Sequence, residues 1–205
     1  MARILLLRHG QSTWNAESRW QGWADAPLSE EGLAQAREMG ELLAAGGPQF
    51  TRVVSSDLAR SADTARAIAD VLGLDEVTVE PDLRERDVGD WSGRTTEEID
   101  IIWPGAVAAW RAGRLDRPPG GEPEPAFRAR IVRAAERLAA EPGGPLLVIT
   151  HGGVIRAIER HLGGDPASTR NLSGRWFDLG SDNRLRAGDV LSLASAGEEP
   201  VTTAL

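Results

Sequence analysis

Two of the three histidines, His9 and His151, sit in matched surroundings. Each follows a short apolar run and precedes glycine, in Arg8-His9-Gly10 and in Thr150-His151-Gly152-Gly153. The runs, residues 4–7 and 146–149, are continuous and of strand length, which reads as strands buried on both faces. In open α/β sheets, ligands sit beyond the carboxyl ends of the strands. Both imidazoles are therefore expected to enter one crevice, beside glycines that let a ligand approach the backbone. A lone histidine at a strand end is usually structural; two in matched contexts point to chemistry. Arg60 falls in the first turn of the helix expected after a third strand, residues 52–55. A helix start offers free N–H groups and partial positive charge, and guanidinium adds a planar fork suited to an oxyanion. With Arg8, this predicts a dianion gripped from two sides.

The composition narrows the chemistry. The 205-residue chain has no cysteine, which excludes disulfides, thiolate metal sites and thiol nucleophiles. It has no lysine either, so all 23 basic side chains are arginine and neither a Schiff base nor a P-loop lysine is available. Three scattered histidines do not make a zinc site, and no metal or other cofactor is expected. The net charge of −8 argues against nucleic acid or an anionic membrane as partner, and makes a local arginine cluster more telling. The apolar run at residues 4–7 is too short for a signal peptide or a membrane span, so the expected location is the cytoplasm.

Further strands are expected at residues 77–80, 175–179 and 189–194. Leu33, Ala36, Met39 and Leu43 define one helical face over residues 29–43, and Leu58, Ala65, Ile68 and Leu72 define another over 57–72, with Ser56 as its cap and Gly73 as its stop. Phe127, Ile131, Ala134 and Leu138 mark a third, and Val154, Ile155, Ile158 and Leu162 a fourth. Strands alternating with helices imply a mostly parallel sheet covered on both faces. Residues 103–125, with five prolines and two tryptophans, break the rhythm; a cap-like insertion at about 99–125 within a single domain, 1–205, is expected. Trp14, Trp20, Trp23 and Trp91 either wall the pocket or, as the favoured use of each, pack in the core, and a structural place is expected for His161.

Six ordered blocks carry a resemblance: RHGQSTWN (8–15), QGWADAPLSEEGLAQA (21–36), SSDLARSADTA (55–65), LRERDVGDWSG (83–93), GGE (120–122) and THGGVIR (150–156). Together they resemble the histidine phosphatase superfamily, which includes the cofactor-dependent phosphoglycerate mutases. That resemblance implies a three-layer α/β sandwich, with about six strands in a mostly parallel central sheet. It implies that His9 is the nucleophile, esterified through one ring nitrogen while a fixed acceptor, expected to be a backbone carbonyl, holds the other. Arg8, Arg60 and His151 would bind the transferring oxygens, and Asn15, Gln21, Gly22 and Gly152 would add substrate contacts. Positioning and electrostatics supply most of phosphoryl-transfer catalysis. Glu85 would be the proton shuttle, favoured over Asp82 and Asp87 by its place in the fourth block. The acid form this requires is favoured by a neighbouring phosphate and opposed by nearby arginine.

Within that family the chain is closer to the phosphatases. Arg86-Asp87-Val88-Gly89 follows Glu85 without the extra basic and aromatic residues of the mutases, and there is no tyrosine. The expected activity is hydrolysis of a small phosphorylated metabolite. Glucosyl-3-phosphoglycerate-type esters, other sugar phosphates and α-ribazole phosphate are the classes permitted. The alternatives are a phosphoglycerate mutase and a phospho-ligand-binding module without turnover. Gln11 and Pro123 depart from the usual pattern, where Glu and Ser are common. Arg111, Arg114 and Arg117, in or beside the insertion, either meet a second acidic group on the substrate or serve as surface charge. The resemblance also points to a homodimer.

Overall fold

Side-chain alternation along the first strand builds both halves of the core. In β1 (Arg3–Arg8), Ile4 and Leu6 join one apolar cluster while Leu5 and Leu7 join another on the opposite face. All four are buried to within 1%, and each such side chain stabilises the fold by roughly 1.5–3 kcal/mol. The computed structural model describes residues 3–166, 169–182 and 184–192.

After β1 come α1 (Thr13–Ala16), α2 (Glu30–Gly46), β2 (Arg52–Ser55), α3 (Ala59–Leu72) and β3 (Val77–Val79). Two short 3-10 turns, Pro81–Leu83 and Gly89–Trp91, lead to α4 (Thr96–Ile102), α5 (Ala106–Arg111) and α6 (Glu124–Ala140). The chain continues through β4 (Leu146–Thr150), α7 (Gly152–His161), β5 (Ser173–Leu179) and β6 (Leu185–Ser192). The sheet order is β3-β2-β4-β1-β5-β6. The first four strands are parallel, and β5 and β6 run antiparallel to their neighbours. Buried residues of α2 and α3 pack on one face; those of α6 and α7 pack on the other. The α/β class and the mostly parallel six-stranded sheet are therefore as expected.

The register explains the site. Arg8 lies opposite Thr150, and Ser55 opposite Ile149, so β1, β4 and β2 end together. Their next residues, His9, His151 and Ser56, emerge at one edge. The ladder runs one step further on each side, with His9 N–H donating to Thr150 O (2.9 Å) and Ser56 N–H to Ile149 O (3.2 Å).

That last bond corrects one expectation. Ser56 does not cap α3; it is still tied to the strand, and Leu58 occupies the N-cap without a side-chain hydrogen bond. Gly73 does end α3. Residues 99–125 contain α5 and contribute to a separate apolar cluster of Trp20, Val88, Trp91, Ile99 and Val107, with Trp103, Trp110 and Leu115 against it. Among the described residues no helix is long and apolar enough to cross a membrane.

Candidate active site

His9 and His151 meet edge to face, with ring centroids 5.2 Å apart. His9 is 3% exposed, and its Nδ1 lies 2.7 Å from the carbonyl oxygen of Gly10. A carbonyl can only accept, so Nδ1 carries the proton and the lone pair resides on Nε2. Burial, aided by the positive charges of Arg60 and Arg8, holds the imidazole well below its usual value of 6.5, and the Gly10 bond opposes this. The ring is thus kept neutral and nucleophilic.

His151 stands at the N-cap of α7 and is fully buried. Burial and then Arg60 lead the causes that lower its pKa well below 6.5. Its Nε2 is 2.7 Å from Ser56 Oγ, while its buried Nδ1 has no partner. The tautomer that leaves Nδ1–H as a donor is the one in which Ser56 donates its hydroxyl proton to Nε2. Ser56→Ala is accordingly expected to lower kcat about tenfold with the thermal midpoint little changed, the weight of about 1.4 kcal/mol for one hydrogen bond. Steady-state kinetics beside a melting curve would check this; an unchanged kcat would mean that Ser56 does not fix the ring.

Arg60 is buried in the first turn of α3, and its two terminal nitrogens donate to Ala24 O and Gly22 O, each at 2.8 Å. Its Nε is buried without a partner. Burial pulls its pKa down to about 10, against the pull of Glu85 and Asp25. Arg8 donates to Thr169 O at 2.7 Å and is also brought down to about 10, first by burial and then by the charge of Arg156. A buried Nη2 of Arg156 is likewise unpartnered. Crowded cations and unpaired buried donors are costly by themselves, and a doubly charged oxyanion would offset both costs at once.

Glu85 is 9% exposed. Its Oε2 accepts from Gly153 N–H in the first turn of α7 (2.9 Å), and its Oε1 accepts from Arg86 N–H (2.8 Å). The approach is so close that a Cβ at position 153 would lie 2.1 Å from Glu85 Oε1. Only glycine admits the acid there.

The remaining expected residues lie around this cup. Asn15 Oδ1 accepts from Ser12 N–H (3.2 Å), and Gln21 Oε1 accepts from Ser12 Oγ (2.9 Å). The carbonyl ends of both amides are thus engaged. Gly22 offers its carbonyl to Arg60. Gly152 is buried at the first position of α7, where an added Cβ would come within 3.4 Å of Arg156 and of Arg8.

Several contributors escaped the sequence. Ser56 reads as a cap in the sequence, and Gly153 reads only as room for a ligand beside His151, with no sign of its contact with Glu85. Trp23, for which core packing is the favoured expectation, is 40% exposed and its Nε1 donates to Glu85 O at 2.7 Å. Trp20 and Trp91 are core residues as expected. His161 is exposed at the end of α7. Arg111, Arg114 and Arg117 are exposed, and Arg117 borders a cleft of about 550 Å³ shared with Trp103, Leu115 and Pro118. Among the described residues no three His, Asp or Glu side chains are grouped to hold a metal ion.

Comparison with known proteins bears on this arrangement. The model of the histidine phosphatase superfamily (branch 1) matches residues 4–186. The chain is 41% identical over 202 residues to glucosyl-3-phosphoglycerate phosphatase of Mycobacterium tuberculosis, covering 88% of each. It is 40% identical over 161 residues to a metal-independent phosphoserine phosphatase of Arabidopsis thaliana, covering 77% of this chain and 67% of that protein. Its fold is similar to that of a mycobacterial glucosyl-3-phosphoglycerate phosphatase in complex with VO3, with a TM-score of 0.83 and 36% identity over 95% of this chain and 100% of the other.

Proposed function

This chain belongs to the histidine phosphatase superfamily (branch 1), and we propose that it hydrolyses small phosphate monoesters through a phosphohistidine on His9. The observation that carries the reading is the pair of buried neutral imidazoles 5.2 Å apart, one with its Nδ1 proton spent on Gly10 O and its Nε2 lone pair left for phosphorus. In the first half-reaction the His9 Nε2–P bond forms as the ester P–O bond breaks, and Glu85 in its acid form gives its proton to the leaving oxygen. In the second, Glu85 takes a proton from water as the water oxygen attacks phosphorus and the N–P bond breaks, which releases phosphate and restores both groups. Arg8, Arg60 and the Nδ1–H of His151 take up the charge on the phosphoryl oxygens. Uncatalysed monoester hydrolysis is slow enough to demand accelerations up to about 10²¹-fold, so several such donors must act together.

The substrate class is a phosphorylated metabolite. An ester of the sugar–phosphoglycerate type leads the candidates, because the similarity to proteins named for that substrate runs along most of the chain. The test is release of phosphate from para-nitrophenyl phosphate and from a metabolite panel that includes glucosyl-3-phosphoglycerate, with and without a metal chelator. Turnover that survives the chelator is expected. Brisk isomerisation of 3-phosphoglycerate with a bisphosphate primer, faster than phosphate release, would overturn hydrolysis in favour of a mutase. Binding without turnover of any ester would make the chain a phospho-ligand module.

A further inference from the structure

The Gly120-Gly121-Glu122 block has no part in the chemistry described so far, yet Glu122 is 13% exposed and pairs with Arg130, itself 12% exposed, on α6. The pairing is a two-pronged fork, with Arg130 Nε donating to Oε1 (2.9 Å) and Nη2 to Oε2 (2.8 Å) of Glu122. The same guanidinium continues onto the backbone that carries the acid. Its Nη1 donates to Asp82 O (2.8 Å) and Arg84 O (2.9 Å), and its Nη2 donates to Glu85 O (2.9 Å). Trp23 Nε1 reaches that last carbonyl from the opposite chain segment at 2.7 Å. Glu122 binds this loop a second time through its own backbone, since its carbonyl accepts from Arg86 Nε (2.9 Å) and its N–H donates to Asp87 O (2.9 Å).

We infer that Arg130, oriented by Glu122 and assisted by Trp23, is a positioning residue that sets where the Glu85 carboxyl stands. Resting on the proposed reaction, this makes the Gly-Gly-Glu block part of the proton-transfer apparatus. Three carbonyls within four residues, at 82, 84 and 85, fixed by one planar fork leave the loop little freedom. A small misplacement of a proton donor is costly, because proton transfer needs heavy atoms within about 2.6–3.2 Å. Lysine at position 130 would keep the charge but, as a point charge with three donors, could not hold both Glu122 oxygens and three carbonyls.

The test uses the dependence on leaving group. A para-nitrophenolate departs well without a proton, whereas the alkoxide of glycerol phosphate needs one. The ratio of kcat/KM for glycerol phosphate to that for para-nitrophenyl phosphate therefore reports the acid, and it reports only the phosphorylation half-reaction. Glu85→Gln is expected to lower this ratio about 100-fold, and Arg130→Lys and Glu122→Gln to lower it about tenfold each. Trp23→Phe changes a half-exposed side chain, so the protein should stay folded even if a buried pair cannot be broken; it is expected to lower the ratio about threefold. A ratio unmoved in Arg130→Lys, Glu122→Gln and Trp23→Phe, while Glu85→Gln lowers it, would overturn the positioning role and leave the acid in place. A ratio unmoved even in Glu85→Gln would overturn the acid assignment, and the positioning role with it.

Discussion

His9→Ala is expected to lower kcat by about 10⁴- to 10⁶-fold, the scale on which removal of a covalent nucleophile acts. That corresponds to roughly 5–8 kcal/mol of barrier at 1.36 kcal/mol per tenfold. The fold should survive, because the ring makes one hydrogen bond, to its neighbour Gly10, and the strand it follows is held by its own ladder to β4. The measurement is para-nitrophenyl phosphate turnover beside a thermal melt. Wild-type rates in a folded His9→Ala protein would mean that the nucleophile lies elsewhere.

The same residue carries a pH signature. Protonation of Nε2 would abolish attack, so a lowered His9 pKa extends the active form to lower pH. The acid limb of kcat/KM due to His9 is expected well below pH 6.5. Removing the Arg60 charge, as in Arg60→Met, lets the imidazole pKa rise, and the acid limb should move towards neutral pH while the maximal rate falls. A limb that moves the other way would contradict the assigned electrostatics.

Gly153→Ala is the second large effect, expected at about 10²- to 10⁴-fold in kcat, the full range of a general acid–base contribution. The added methyl would sit 2.1 Å from Glu85 Oε1 and 2.9 Å from Oε2. Those atoms end a flexible side chain, so the carboxyl yields, loses its bond to Gly153 N–H and leaves its station. Stability should change far less. Position 153 lies within α7, where alanine is favoured over glycine by up to about 1 kcal/mol, which offsets part of the roughly 1–3 kcal/mol cost of the freed buried N–H. A protein that stays folded, with a modestly lowered melting temperature, yet turns over slowly is the expected outcome. Full activity in Gly153→Ala would show that Glu85 is not needed where it stands.

How far the sequence reveals all this depends on what each part is made of. Strands β1, β2 and β4 are buried on both faces, so their apolar runs announce them, and the histidines that follow inherit their positions from that register. The antiparallel strands are fainter. β5 begins at Ser173 and Gly174, which carry no apolar signal, and β6 runs through Arg186 and Asp189 because an edge strand needs only its ladder. Expectation there began at residue 189, four residues after the observed start at Leu185, and its last two residues, 193 and 194, lie outside the described residues. Within the site, Arg60 was legible through its helix start. Ser56 was not, because a serine before a helix reads as a cap unless the ladder bond to Ile149 is known. Trp23 and Arg130 act on a backbone carbonyl sixty-two and forty-five residues away in sequence, and no local pattern encodes such a contact.

Whether His9 itself carries the phosphoryl group can be read directly by mixing Glu85→Gln protein with para-nitrophenyl phosphate. This ester needs no acid to leave, whereas water attack on the intermediate does need the base. Quenching into alkali followed by peptide mass analysis is predicted to find one phosphoryl group per chain on the imidazole of His9, with a matching burst of para-nitrophenolate. A burst with His9 unmodified, or with the phosphoryl group on another side chain, would contradict the account.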